Sequence, residues 1–160
     1  MPDGVLYDTD FLAWTEQQAA ALRRMAAARA NTELDLHHLA ELLDDRGASE
    51  RRALESGLAC IIEHLLKLEH SPTPDPRVKW QLSVIEHRSR AQSALSDSPS
   101  LKGRLPDLQA GAWKRARAKA ALSLSSYDGV DAETLPTRCP YDSDEVLDDG
   151  FLPPNRHGLA

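Results

Sequence analysis

One run of leucine and isoleucine residues, between residues 54 and 68, constrains the fold more than any other feature of this sequence. Leu54, Leu58, Ile61, Leu65 and Leu68 follow one another at intervals of four, three, four and three residues. This spacing places them on one face of an α-helix, whereas a half-buried strand alternates apolar and polar residues. Since no stretch of useful length alternates in that way, the sequence predicts an all-α fold with this helix as its core element.

The other helices are predicted from caps, helix breakers and further apolar periodicity. We expect helices over about 9–30, 35–46, 49–70, 77–95 and 106–126, and a short helix over about 143–147. Asp8 is predicted to cap the first helix, Gly47 to end the second and Ser49 to start the third, because these residue types favour those positions. The three prolines of residues 71–76 predict a stiff loop, since proline disrupts a helix interior.

Together these elements predict a single-domain antiparallel helical bundle of about five helices over residues 6–153, with an extended C-terminal tail. Short connections favour antiparallel neighbours. The chain has 160 residues, of which 41% are hydrophobic and 28% charged, and this composition is typical of a globular domain. Phe151 and Leu152 are expected to dock on the bundle, and residues 154–160 are left as a short tail open to disorder.

The N-terminus and the cysteines indicate a compartment. Residues 1–10 lack the basic and apolar regions of a secretory signal, and the longest wholly apolar run is far shorter than a membrane span. Cys60 and Cys139 stand alone, without CxxC spacing, which favours a reducing compartment. The sequence therefore predicts a cytoplasmic protein without a membrane partner.

The net charge of −6 conceals three blocks of alternating sign. Residues 1–70 carry 7 basic and 13 acidic side chains, residues 71–119 carry 10 and 4, and residues 120–160 carry 2 and 8. The basic middle block predicts a candidate interaction surface. Its members are Arg77, Arg88, Lys114, Arg115, Arg117 and Lys119.

Three interpretations of the basic block stay open. Its cations can be solvated or face the acidic blocks of the same chain, they can bind nucleic-acid phosphates, or they can bind a protein partner. The partner expected is an acidic protein or a further copy of this chain. Nucleic acid is the weaker alternative, because the sequence contains no helix-turn-helix, RNA-binding or zinc-finger signature.

Residues with catalytic or metal-binding potential are few. His37 with Glu41, and Cys60 with His64, stand four residues apart, a spacing that presents two side chains on one helical face. Helical di-metal sites use Glu-x-x-His pairs, and the sequence contains none. It also lacks nucleophile-elbow and phosphate-loop motifs. We therefore predict no catalytic, metal or cofactor-binding residues and no cofactor.

Several short motifs together resemble a known bacterial family. They are Leu6-Tyr7-Asp8-Thr9-Asp10-Phe11 with Trp14, Leu34-Asp35-Leu36, Ser49-Glu50-Arg51-Arg52, His64-Leu65-Leu66-Lys67, Asp97-Ser98-Pro99-Ser100-Leu101, and Cys139-Pro140-Tyr141 with Phe151-Leu152-Pro153. In this order they resemble the family called domain of unknown function 29. The resemblance implies a helical bacterial protein in the cytosol and supplies no catalytic residue.

These observations favour a non-enzymatic protein-interaction or regulatory module. The first alternative is a nucleic-acid-associated protein that uses the basic block of residues 71–119. The second is a metal-binding or enzymatic helical bundle that uses His64, Cys60 or Glu41.

Overall fold

The computed structural model describes residues 3–160, and every regular element in that range is helical. Six α-helices are present: α1 (Asp3–Thr9), α2 (Phe11–Ala27), α3 (Leu36–His70), α4 (Arg77–Asp97), α5 (Leu105–Asp128) and α6 (Ser143–Leu147). Short 3-10 helices cover Pro99–Arg104 and Ala132–Thr134. No strand occurs within this range, so the predicted all-α helical-bundle class is confirmed.

The chain divides into two compact units. The first comprises the residues up to Ala53 together with Ser93–Arg104, and the second comprises Leu54–Gln92 together with Leu105–Ala160. Helices α3 and α4 contribute residues to both units. A single domain over residues 6–153 stays a prediction.

In the first unit, the start of α2 is fixed by Asp10. Its carboxylate accepts a hydrogen bond from the backbone N–H of Ala13 (3.0 Å), as an N-cap does. The same carboxylate accepts from the N–H (2.7 Å) and the hydroxyl (2.8 Å) of Ser100. The prediction that Asp8 caps this helix is wrong, because Asp8 lies within α1, which ends at Thr9.

Helix α3 runs without a break through Gly47 and Ser49, so the two predicted helices over 35–46 and 49–70 are one. Gly47 is buried in the helix rather than ending it. A Cβ on Gly47 would lie 3.1 Å from Leu12 Cδ1 and 3.2 Å from Thr15 Oγ1. The glycine therefore allows α2 to approach closely, which is a packing role that the sequence prediction mistook for a stop.

The second unit contains the predicted apolar face of α3. All five of its members, from Leu54 to Leu68, are buried, as the 4-3-4-3 spacing predicted. On α5, the spacing of Ala116, Ala120, Leu124 and Tyr127 at four, four and three residues predicts a second apolar face. Ala116, Ala120 and Leu124 are buried, whereas Tyr127 is exposed in the last turn of α5.

The chain after α6 is part of the second unit and packs on its helices. Phe151 packs edge-on to Tyr141, with ring centroids 6.0 Å apart, whereas Leu152 is exposed. The predicted docking of this C-terminal segment on the helices is thus confirmed for Phe151. The same prediction is wrong for Leu152. Further along, the Asn155 side chain donates hydrogen bonds to the carbonyls of Leu68 (2.8 Å) and Ser71 (2.9 Å).

Candidate functional site

Two members of the predicted basic surface are buried in the second unit. Arg88 is 1% exposed, and its guanidinium donates to the carbonyls of Val146 (2.8 Å), Phe151 (2.9 Å) and Glu145 (3.0 Å). Arg77 donates to the carbonyl of Leu68 (2.8 Å). Placing Arg77 and Arg88 on an interaction surface was therefore wrong, because both cations are used to satisfy backbone carbonyls.

The four cations of α5 divide between structural and exposed roles. Arg117 donates to the carbonyls of Pro136 (2.7 Å) and Leu135 (3.3 Å), and so holds the turn after α5. Arg115 forms an ion pair with Glu55 (2.8 Å). Lys114 and Lys119 are exposed and form no ion pair within the described part of the chain. Of the six predicted residues, only these two present an uncompensated charge at the surface.

An exposed apolar face on α4 was not identified from the sequence. Val78, Leu82 and Ile85 are 64%, 60% and 57% exposed. Their spacing of four and three residues puts them on one side of the helix, and we call this set the α4 stripe. The other side of α4 is buried, with Val84, Arg88, Ala91 and Leu95 facing inward.

No other helix in residues 3–160 repeats this arrangement. The remaining large exposed apolar side chains are one or two per helix, and those on α1 and α5 are separated by spacings that place them on different sides. Isolated exposed apolar residues are ordinary on a protein surface, whereas a contiguous set marks an interaction site. The α4 stripe is therefore the candidate functional site.

The sequence left His64 and Cys60 as candidates for chemistry, and the structure places His64 in a polar cluster that also contains Ser83 and His87 of α4. His64 Nδ1 lies 2.7 Å from the Cys60 carbonyl, and His87 Nδ1 lies 2.8 Å from the Ser83 carbonyl. A carbonyl only accepts hydrogen bonds, so both Nδ1 atoms carry the proton. Ser83 Oγ is 3.4 Å from each of them.

This geometry does not activate Ser83. A serine nucleophile needs an unprotonated histidine nitrogen as its base, and the hydroxyl faces two protonated ones. Burial lowers the pKa of His64, which keeps its ring neutral. Beside it, Lys67 and Glu63 form an ion pair of 2.6 Å, and this pair stabilises the helix in the orientation that i, i+4 pairs favour.

The second cysteine lies in a cleft of about 420 Å³ lined by residues of α5 and the following loop. Cys139 Sγ is 3.3 Å from the carbonyl of Tyr141 and 3.7 Å from the amide nitrogen of Gln109. Burial raises the pKa of the Cys139 thiol, which suppresses the thiolate form that reacts. The cleft therefore holds an unactivated thiol.

The remaining candidate ligands do not form a cluster. His37 and Glu41 are both exposed on the first unit's part of α3. Within the described range, no three His, Cys, Asp or Glu side chains are grouped so that they could hold a metal ion.

None of the helices between residues 3 and 160 combines the length and apolar character that a membrane crossing requires.

Comparisons with known proteins agree with the helical fold. A family model described as "Domain of unknown function DUF29" matches residues 6–152. A crystal structure of an alpha-helical protein of unknown function from Rhodospirillum rubrum is similar, with 27% sequence identity and a TM-score of 0.75. The match covers 91% of this chain and 90% of that one. No functionally curated protein shows significant similarity.

Proposed function

We propose that this chain, which belongs to the family described as Domain of unknown function DUF29, acts as a non-enzymatic protein-interaction module. Its contact surface is the α4 stripe. The observation that carries the proposal is the exposure of more than half of each of Val78, Leu82 and Ile85 on one face of one helix. We place this module in a bacterial cytosol, a location supported by the two unpaired cysteines.

In the isolated chain, the α4 stripe exposes apolar area to water. An exposed aliphatic side chain contributes no burial energy to the chain that carries it. When a partner covers that side chain, the complex is stabilised by roughly 25 cal/mol per Å² of apolar area buried. Three such side chains at i, i+4 and i+7 are the anchors with which an amphipathic helix packs on another helix or in a groove. The α4 stripe thus has the geometry of a contact surface.

The nucleic-acid alternative has less support from the basic block. Binding to a phosphate backbone depends on how many cations neutralise phosphates. Four of the six predicted cations are committed to carbonyls or to Glu55. Two further cations of the block, Arg90 and Arg104, pair with Glu86 and Glu16. Lys79, Lys102, Lys114 and Lys119 form no ion pair within the described residues, and these four charges are fewer than the roughly 6–10 phosphate contacts of a strongly salt-dependent binder.

A site-specific photo-crosslinker tests the proposal in living cells. One variant carries the crosslinking amino acid in place of Leu82, and the control carries it in place of Leu122, which is 70% exposed on α5. We expect discrete protein adducts, identified by mass spectrometry, from position 82 and not from position 122. The proposal fails if position 82 gives no protein adduct, or if both positions give the same adducts.

A further inference from the structure

We infer that the α4 stripe is covered by a second copy of this chain, whose α4 packs antiparallel to the first about a twofold axis close to Leu82. This inference rests on the proposed function, because it names the partner of the same surface. A twofold contact brings one surface patch against itself, so the patch must be self-complementary. The residues along α4 meet that requirement in both apolar shape and charge.

The apolar residues are arranged almost symmetrically about Leu82. Val78 lies four residues before it and Ile85 lies three residues after it. In an antiparallel pair, a residue before the axis lies opposite a residue at the same distance after it. Val78 of one copy therefore lies opposite Ile85 of the other, with an offset of one residue, or about 1.5 Å. The two Leu82 side chains meet at the axis.

The charged residues next to the stripe follow the same symmetry with opposite signs. Lys79 lies three residues before Leu82 and Glu86 lies four after it. Both side chains are exposed on α4. In the antiparallel register Lys79 of each copy therefore lies opposite Glu86 of the other copy, which gives two ion pairs across the axis.

The position of these charges around the helix selects the antiparallel orientation. At about 100° per residue, Lys79, Glu86 and Arg90 fall on a single flank of the α4 stripe. A twofold antiparallel pair brings this flank against its own copy. A parallel pair would bring it against the opposite flank, where Gln81 and Gln92 carry no charge. Charges at helix flanks fix partner orientation in this way in coiled coils.

Within the described part of one chain, these charged residues form only one ion pair, and that pair is exposed. Glu86 pairs with Arg90 at 2.5 Å along the exposed surface of α4, and such exposed pairs contribute little stability. Lys79 forms no ion pair within the described residues. Lys79 and Glu86 therefore remain available to a second copy. Because three aliphatic residues per chain make a small interface, we expect a weak, reversible dimer.

Engineered disulfides test the register. In the full chain with Cys60→Ala and Cys139→Ala, we introduce V78C into one tagged chain and I85C into another, and mix them under mild oxidation. A disulfide needs Cα atoms about 4.4–6.8 Å apart. The antiparallel register predicts mostly mixed V78C–I85C dimers. The register is overturned if V78C–V78C disulfides form as fast as the mixed V78C–I85C disulfide. It is also overturned if the mixed disulfide is no more abundant than the disulfide formed when an L122C chain replaces the I85C chain.

Charge reversal tests the partner and the orientation together. K79E alone or E86K alone places like charges opposite each other twice, and we expect each to weaken the dimer roughly tenfold. The double variant restores opposite charges, and its dissociation constant should return to within about threefold of the original. Single variants without effect, or a double variant weaker than both, would overturn the inference. Unchanged thermal melting of each variant establishes that the chains are folded.

The photo-crosslinking result separates this inference from the proposed function. An adduct at position 82 that joins two copies of this chain supports both. An adduct with a different protein alone supports the interaction module and overturns the second copy as its partner. No adduct at that position overturns both.

Discussion

Within the second unit, the buried Arg88 holds α6 and the segment that follows it. Arg88 donates to three carbonyls, two at the end of α6 and one at Phe151. The final carbonyls of a helix lack partners within the helix and carry partial negative charge, so a cation there is favourable. Burial lowers the pKa of Arg88, while Asp149 and Asp148 oppose that effect.

We predict that Arg88→Met destabilises the protein by at least about 2 kcal/mol, because buried carbonyls lose charge-assisted hydrogen bonds and gain no replacement. The matched control is Arg90→Met, two residues along the same helix but exposed. It should change the free energy of unfolding by less than about 1 kcal/mol. Urea denaturation of both variants measures the difference, and equal effects would contradict the role assigned to Arg88.

His70 makes folding sensitive to pH. It is 4% exposed, its Nε2 has no hydrogen-bond partner, and burial lowers its pKa below the ordinary value. Around it, Glu69 favours the protonated ring, whereas Arg156 and His157 disfavour it. The folded protein therefore holds His70 neutral at a pH at which the unfolded chain already binds a proton.

The sign follows from that difference in proton binding. As the pH falls below about 6.5, the ordinary pKa of histidine, the unfolded state gains a proton that the folded state does not, so stability decreases. We predict that His70→Gln flattens the slope of the unfolding free energy between about pH 7.5 and 5.5. The His37→Gln variant, at an exposed position, is the control and should keep the original slope. An unchanged slope in His70→Gln would contradict this assignment.

At the scale of elements, Gly47 and Gly57 lie in the same helix but in different surroundings. A Cβ on Gly47 would contact Leu12 and Thr15 at little over 3 Å, whereas a Cβ on Gly57 would meet nothing within 4 Å. Alanine is favoured over glycine inside a helix by roughly 0.5–1 kcal/mol when space allows.

The two glycine-to-alanine substitutions should therefore have opposite signs. Gly57→Ala should stabilise the protein by about 0.5–1 kcal/mol, and Gly47→Ala should destabilise it by about 1 kcal/mol because α2 must move away. Thermal unfolding followed by circular dichroism compares them directly. A stabilising Gly47→Ala would show that the glycine is not required for the approach of α2.

This pair also shows what the sequence can predict about elements. The 4-3-4-3 face of α3 needs only local periodicity, so its burial was predicted correctly. Whether Gly47 ends a helix or admits a neighbour depends on a side chain 35 residues away, Leu12, which local patterns do not report. The cap of α2 was misassigned for a similar reason, since Asp10 is selected partly by its hydrogen bonds to Ser100.

The candidate site depends on the same distinction. In the sequence, the apolar residues of α4 do not define a single face, because they form two faces, one buried around Val84 and one exposed around Leu82. The 4-3 spacing of Val78, Leu82 and Ile85 was present in the sequence, but spacing alone does not say which face is covered. Likewise, the sequence assigns Arg77 and Arg88 to the surface because they are charged. Only the structure shows the carbonyls that bind them in the interior.

At the scale of the whole molecule, the three charge blocks of the sequence do not correspond to three charged surfaces. Of the ten cations in the basic middle block, four meet carbonyls or Glu55, and two more pair with Glu86 and Glu16. What remains available for a partner is an apolar face with a self-complementary pattern of charges beside it. We therefore expect the α4 stripe to join two copies of the chain.

Sedimentation equilibrium of the wild type and of Leu82→Glu over a wide concentration range tests this claim most directly. We predict that the wild-type mass rises from 17.6 kDa toward twice that value as concentration increases. Leu82→Glu should stay at the monomer mass, because the substitution buries two like charges at the axis, while a Leu122→Glu control should behave as the wild type does. A wild type that stays monomeric at the highest concentration, or a dimer that survives Leu82→Glu, would contradict the account.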